Sequence, residues 1–239
     1  MKNILKACAV AFSMYSKIPM PRFVWGSQDM KYHLCFFPLV GAVIGGIVFL
    51  WNHVCTLIPV SDILKTFLAI AVPLIITGGF HVDGFMDTMD AIHSYQDREK
   101  KLEILKDPHI GAFSVISIII FFLLTIGFSF EIKTFETLFT VCASFVISRE
   151  LSALSVLLFP KAKKDGMVSV ESKTEGKKTV IAVLLIELFA SCTTLVCLTL
   201  GKSLCGIFSI AAMALSFVYY YFMSRGGSLV ANRKKRTAI

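Results

Sequence analysis

Within ten residues the chain places an imidazole and three carboxylates, His81, Asp83, Asp87 and Asp90, at the mouth of an apolar segment. Asp83, Asp87 and Asp90 fall at i, i+4 and i+7, so an α-helix through them would carry all three on one face. Like charges gathered this way repel unless a cation sits among them. A compact all-oxygen cluster prefers a hard divalent ion, Mg²⁺ first, and the usual work of such an ion in an enzyme is to hold phosphates. Gly78, Gly79 and Gly84 lie around the acids and would let the backbone approach a ligand closely. A single acid at a helix start needs no more explanation than capping, but three on one face exceed that need. His81 falls on the opposite side of the helix if the helix starts that early, whereas a loop would free it to turn toward a phosphate.

The elements that must position these groups are built for lipid. Of 239 residues 56% are hydrophobic and only 17% charged, with a mean hydropathy of +0.74. A soluble domain would carry about 25% charged residues. The expected fold is all-α: a polytopic membrane helical bundle, one membrane domain over 1–239, with about six spanning helices and an N-terminal interfacial or re-entrant helix. Apolar runs near the roughly 20 residues needed to cross the hydrocarbon core cover 35–58, 63–80, 110–130, 134–159, 179–200 and 203–223. Pro73 is expected to kink the second. Met1 to Tyr15 is too short to span and has no small-residue cleavage site after it, so a secretory signal peptide is not expected. The seven cysteines show no C-x-x-C pair and read as small buried apolar residues.

A net charge of +8 raises the question of nucleic acid, but the basic residues follow a topology instead. Of the 24 Lys and Arg, 20 lie before the first span, between spans two and three, between spans four and five, or after span six. The positive-inside rule then puts both termini and both long loops on the cytoplasmic side of the cell inner membrane. Residues 78–109 become a cytoplasmic acidic active-site loop. The lipid bilayer is the expected macromolecular partner, and nucleic acid is not. A charged amphipathic helix is expected over 94–107, followed by the turn Lys106-Asp107-Pro108-His109-Ile110-Gly111, which returns charged groups toward the acids. Arg149 and Glu150 lie well inside the fourth apolar run. As i, i+1 neighbours they cannot pair on one helix, so each needs a partner elsewhere. Glu187 is expected to pair within the bundle.

Thr77 to Ala91, followed by Arg98, Leu102-Glu103-Ile104-Leu105-Lys106-Asp107 and Ile110-Gly111, resembles the signature of the cobalamin synthase family, the adenosylcobinamide-GDP ribazoletransferases. Ile18-Pro19-Met20-Pro21, Phe36 to Gly41 and Ser148-Arg149 extend the resemblance over most of the chain. It implies a Mg²⁺-dependent membrane enzyme that joins α-ribazole, or its 5′-phosphate, to adenosylcobinamide-GDP and releases GMP. In such an enzyme Asp83, Asp87 and Asp90 would hold Mg²⁺ on the diphosphate. The base that accepts the proton of the attacking ribose hydroxyl is open between a carboxylate and His81. Lys106, Asp107 and Arg149, with the three glycines, are the expected substrate contacts.

The chain departs from the family at its C-terminal motif. A Gly-Gly-x-x-Gly-Asp type motif is expected there, and Gly226 and Gly227 are followed by no aspartate. Two other readings compete. A CDP-alcohol phosphotransferase also clusters acids after a glycine, but the spacing and the Ala-Arg pair expected there are absent. A cation-coupled transporter would place its acids near mid-membrane on broken helices with an inverted repeat, and no repeat is evident. The sequence leaves the oligomeric state, a homo-oligomer included, open.

Overall fold

The computed structural model describes residues 2–21, 30–160, 176–200 and 204–236. Every regular element among them is helical: α1 (Lys2–Tyr15), a 3₁₀ turn (His33–Phe36), α2 (Phe37–Leu57), α3 (Asp62–Thr77), α4 (Phe80–His93), α5 (Arg98–Ile104), α6 (Ala112–Ser129), α7 (Phe135–Leu158), α8 (Lys177–Thr199) and α9 (Cys205–Arg236). Among the described residues five stretches are long and apolar enough to cross a membrane: His33–Leu57, Ala112–Ser129, Phe135–Leu158, Lys177–Thr199 and Cys205–Phe222. A sixth crossing is available if the bent pair α3–α4 counts as one span. On α6 the side chains of Ile116, Ile120, Leu123, Leu124 and Phe128 are exposed. Such a surface is stable against acyl chains and costly against water. The protein is a polytopic helical membrane protein, as the composition implies.

The described chain falls into two compact units, residues 1–49 with 134–239, and residues 50–133. In the first, α1 buries Ala7, Val10 and Ala11 while Ile4 and Leu5 stay exposed. Tyr15 at its end packs on Phe37 at a ring separation of 4.2 Å and reaches His33 Nε2 at 3.4 Å. His33 is thereby buried and occupied. The α2–α7 contact depends on Gly41 and Gly45, one turn apart on α2. A Cβ at Gly41 would stand 2.3 Å from the Phe145 carbonyl oxygen, and one at Gly45 would stand 2.5 Å from that of Cys142. Small residues at this spacing let two helix backbones approach, and close packing drives helix association in lipid. The basic loop expected between spans four and five lies mostly outside the described residues. At the far end, α9 runs as helix through Gly226 and Gly227.

In the second unit the sharp change of direction does not fall at Pro73. α3 runs unbroken through that residue, and the 91° bend separates α3 from α4 at Gly78–Gly79. Both glycines are left-handed, with φ of 66° and 78°, a conformation that costs an L side chain about 1–2 kcal/mol. Gly78 and Gly79 donate their N–H groups to Leu74 O and close α3, and Gly79 is also the N-cap of α4. The amphipathic helix expected over 94–107 is shorter, α5 alone. Asp97 caps it by accepting from Lys100 N at 3.0 Å, and the preceding turn puts Tyr95 at φ 52°.

Gly41→Ala and Gly45→Ala are expected to lower stability by about 1–3 kcal/mol each, because the obstructing atoms are backbone and cannot step aside cheaply. Thermal unfolding in detergent reads this directly. An unchanged midpoint for both variants would mean that α2 and α7 do not pack at these glycines.

Candidate active site

α4 leaves α3 at a right angle, so it runs across the direction in which α3 would cross the bilayer. With 14 residues and three carboxylates it is neither long enough nor apolar enough to be a span itself. At 100° per residue Asp83, Asp87 and Asp90 occupy a sector of about 60° on its surface. The shared face expected from spacing is present in the backbone. Asp87 senses the other two: burial raises its carboxyl above the usual carboxylate range, and the charges of Asp83 and Asp90 raise it further. Neither Asp83 nor Asp87 has an ion pair among the described residues.

The third carboxylate is committed elsewhere. Asp90 Oδ2 accepts from Gly111 N at 2.8 Å and Oδ1 from Ser114 N at 2.9 Å. Gly111 is the N-cap of α6 and has no side chain to cap with. Asp90 therefore supplies both bonds of a capping box from a different helix. Burial pushes its carboxyl up, but hydrogen bonds from Ser114, Gly111 and Phe113 outweigh that and hold it below the ordinary 3.8. The cap is thus complete at neutral pH and weakens only as pH falls through that lowered value. His93 stacks on Phe113 at 5.5 Å, and Phe85 meets Phe121 at 5.8 Å, fastening α4 along the start of α6. Lys101 Nζ reaches back to Ile92 O at 3.3 Å, holding α5 beside α4.

Several expected site residues change standing. Among the described residues no group of three His, Cys, Asp or Glu side chains is arranged to hold a metal ion by itself, because Asp90 turns into the α6 N-terminus. Mg²⁺ fits the remaining pair nonetheless. It takes one or two protein carboxylates and completes its octahedron with water and substrate phosphates. Asp83 and Asp87, two acids without a counter-ion, match that pattern. His81 is not brought to them. It sits in the first turn of α4, about 120–180° round the axis from the acids, with its ring against Phe80. Gly78 and Gly79 serve the bend. Gly84 meets the description of an open approach, since a Cβ there would find nothing within 4 Å.

Lys106 and Asp107 lie in the same unit as the acids, on the turn that Asp90 grips. Arg149 belongs to the other unit. It is buried in α7, where Nη1 donates to Phe145 O at 2.9 Å and to Ser148 Oγ at 3.3 Å, while Nε is buried with no partner among the described residues. Glu150 Oε1 accepts from Ser191 Oγ at 2.8 Å. Glu150 Oε2 and Glu187 Oε2 are buried without a partner among the described residues, so the bundle pairing expected for Glu187 is not formed there. Sequence reasoning missed the role of Ser114 and Gly111 as the backbone donors to Asp90. The available signal was a glycine N-cap before an apolar run that has no capping side chain of its own.

Fold and site together describe a polytopic helical membrane protein with two carboxylates, unpaired among the described residues, on a short helix bent away from its span. The comparisons then fix which one: residues 7–229 match the family model described as cobalamin-5-phosphate synthase, and the chain belongs to that family. An adenosylcobinamide-GDP ribazoletransferase of Lachnoclostridium phytofermentans is 45% identical over 184 residues, covering 77% of this chain and 70% of that one. One from Clostridium botulinum strain Alaska E43 is 35% identical over 214 residues, covering 89% and 82%. One from Clostridioides difficile is 34% identical over 145 residues, covering 61% and 56%. No solved structure matches. The protein is accordingly a transferase of cobalamin biosynthesis.

Gly111→Ala is expected to destabilise the second unit, since its Cβ would stand 2.4 Å from Asp90 Oδ1. Asp90→Ala removes the same cap from the other side, and either change should cost about 1–2 kcal/mol. The double variant should cost little more than the worse single one. Additive losses in detergent melting curves would show that the two residues act independently.

Proposed function

We propose that this chain transfers the phosphocobinamide group of adenosylcobinamide-GDP to α-ribazole, or to its 5′-phosphate, releasing GMP and forming adenosylcobalamin or its 5′-phosphate. The observation that carries the reading, beside family membership, is the pair Asp83 and Asp87, without a counter-ion and next to the turn that holds Lys106. In the reaction a ribose hydroxyl oxygen forms a bond to the cobinamide-side phosphorus. The bridging P–O bond breaks, its electron pair leaves with GMP, and the hydroxyl proton leaves to a base. When the 5′-phosphate is retained in the product, the attacking oxygen must be a different hydroxyl of the same ribose. Little of this is covalent work for the protein, so positioning and charge stabilisation dominate.

Asp83 and Asp87 would hold Mg²⁺, which supplies Lewis-acid stabilisation of the charge that develops on the phosphates. Asp90 contributes differently, by fixing the α6 N-terminus and with it the 106–111 turn against α4. Lys106 offers a point charge to the diphosphate. The loop charges favour an arrangement in which α4 and α5 face the cytoplasm, where a nucleotide-activated substrate is available. Placement in the bilayer suits a bulky amphiphilic corrinoid. No observation favours the phospholipid-synthase or transporter readings over this one.

Purified protein in detergent, given adenosylcobinamide-GDP, α-ribazole and Mg²⁺, is expected to yield GMP and cobalamin in equal amounts by chromatography. Absence of both products beside an active relative would reject the assignment. Asp87→Asn should lower turnover by roughly 10²–10³, the scale of losing one preorganised electrostatic contact. Its melting point should stay close to that of the parent. A variant that keeps parental turnover and Mg²⁺ dependence would remove Asp87 from the metal site.

A further inference from the structure

Between α5 and α6 the chain makes a tight turn whose side chains are ordered by one another. Asp107 Oδ1 accepts the backbone N–H of His109 at 3.0 Å and also meets His109 Nδ1 at 2.5 Å. Pro108 between them fixes its own φ near −65° and leaves the turn little freedom. These bonds, first the backbone N–H of His109 and then its ring, hold the Asp107 carboxyl below its ordinary range. An ionised carboxylate is acceptor-only, so the contact requires a proton on Nδ1. Asp107 Oδ1 is therefore engaged as an orienter of His109. This gives Asp107 a positioning role beside the substrate contact expected from the sequence.

The imidazole so held is not packed away. The His109 side chain is 88% exposed, and its Nε2 has no hydrogen-bond partner among the described residues. Its location is set by the Asp90 grip on Gly111 N, two residues further on. Two residues span at most about 7 Å, and Asp87 is one α4 turn, about 4.5 Å of rise, from Asp90. His109 thus lies on the turn tied to the Asp90 end of α4, in the same unit as Asp83, Asp87 and Lys106 and close enough for its side chain to extend toward a ligand held by the acids. The physical problem at the acids is a diphosphate whose outer oxygens extend beyond two carboxylates and a divalent ion. A fixed N–H donor on that turn answers it. In its imidazolium form His109 presents Nε2–H outward as a charge-assisted donor.

We propose that His109 is a substrate-contacting residue of this enzyme, with Nε2, aimed by the Asp107–Pro108–His109 turn, donating to a non-bridging oxygen of the diphosphate in the nucleotide-activated substrate. The inference rests on the transferase reading above and adds to it a residue and a role. A donor at this position requires charge and reach, and does not require an imidazole to exchange protons. The guanidinium of arginine would serve in its place.

The test uses the full chain in detergent with Mg²⁺. His109→Gln should raise KM for adenosylcobinamide-GDP about tenfold or more, as expected on losing a hydrogen bond to a charged group, with kcat within about threefold and KM for α-ribazole unmoved. His109→Arg should restore KM to near the parental value, and Asp107→Asn should fall between the two. A Gln variant with parental KM overturns the proposal. A kcat loss of more than about tenfold in both the Gln and the Arg variants also overturns it, because the site would then need an imidazole that moves a proton. Equilibrium dialysis with Mg²⁺ and GDP as the probe separates this inference from the transferase assignment. If the parent binds Mg²⁺–GDP but forms no cobalamin, the transferase reading fails, while the ratio of parental to Gln affinity still decides the role of His109. Equal affinity removes it from the diphosphate site.

Discussion

The carboxylate of Asp90 holds two backbone N–H groups, those of Gly111 and Ser114, at the start of the longest wholly uncharged helix of the second unit. Helix α6 begins with donors that no residue of its own can satisfy, because its N-cap is a glycine. Unpaired donors at the edge of an apolar medium are costly, and Asp90 removes that cost by reaching across from α4. The same bonds fasten α4 to α6, with His93 on Phe113 and Phe85 on Phe121 extending the seam. Everything chemical in the unit hangs on it. The seam ties the helix bearing Asp83 and Asp87 to the 106–111 turn, which carries Lys106 and His109.

A division of labour among three similar residues follows. Asp83 and Asp87 have no ion pair among the described residues, and in the proposed reading a divalent ion would be their partner. Asp90, with the same charge and on the same face, lies in a field of N–H groups and is pulled the other way. Burial and neighbouring charge raise Asp87, whereas hydrogen bonds lower Asp90. The separation comes from what each carboxylate faces rather than from its place along α4. Asp107 repeats the arrangement of Asp90 on a smaller scale, giving up its lone pairs to His109 and so fixing a ring that would otherwise be free to turn.

The first unit solves a different problem, that of bringing helices together where water offers no hydrophobic drive. Gly41 and Gly45 let the α2 backbone approach α7 at distances no side chain would tolerate. The stem of Arg149 fills the space opposite Gly41, and its guanidinium takes a carbonyl from its own helix. Glu150 takes a serine of α8. Arg149 and Glu150 each find at least one such partner, and the buried atoms that find none among the described residues, Arg149 Nε, Glu150 Oε2 and Glu187 Oε2, mark where the bundle is least satisfied.

Composition alone determined that this chain is a helical membrane protein, since apolar runs of spanning length have no other stable arrangement in hydrocarbon. The i, i+4, i+7 spacing of the acids determined that they share a face, because helical periodicity is a property of local backbone geometry. The order of motifs from Thr77 to Gly111 was enough to point to the family. Spacing could not say which acids remain free for a metal, because that depends on α6, whose N-terminus reaches Asp90 only after the chain has folded back 21 residues later. Nor could it place the bend, since Pro73 and the Gly78–Gly79 pair are both plausible breaks. Two left-handed glycines turn the backbone through 91°, whereas a proline within a helix can be absorbed. The support that Asp107 gives His109 was likewise visible only in the structure, as hydrogen bonds from Oδ1 to its neighbour but one.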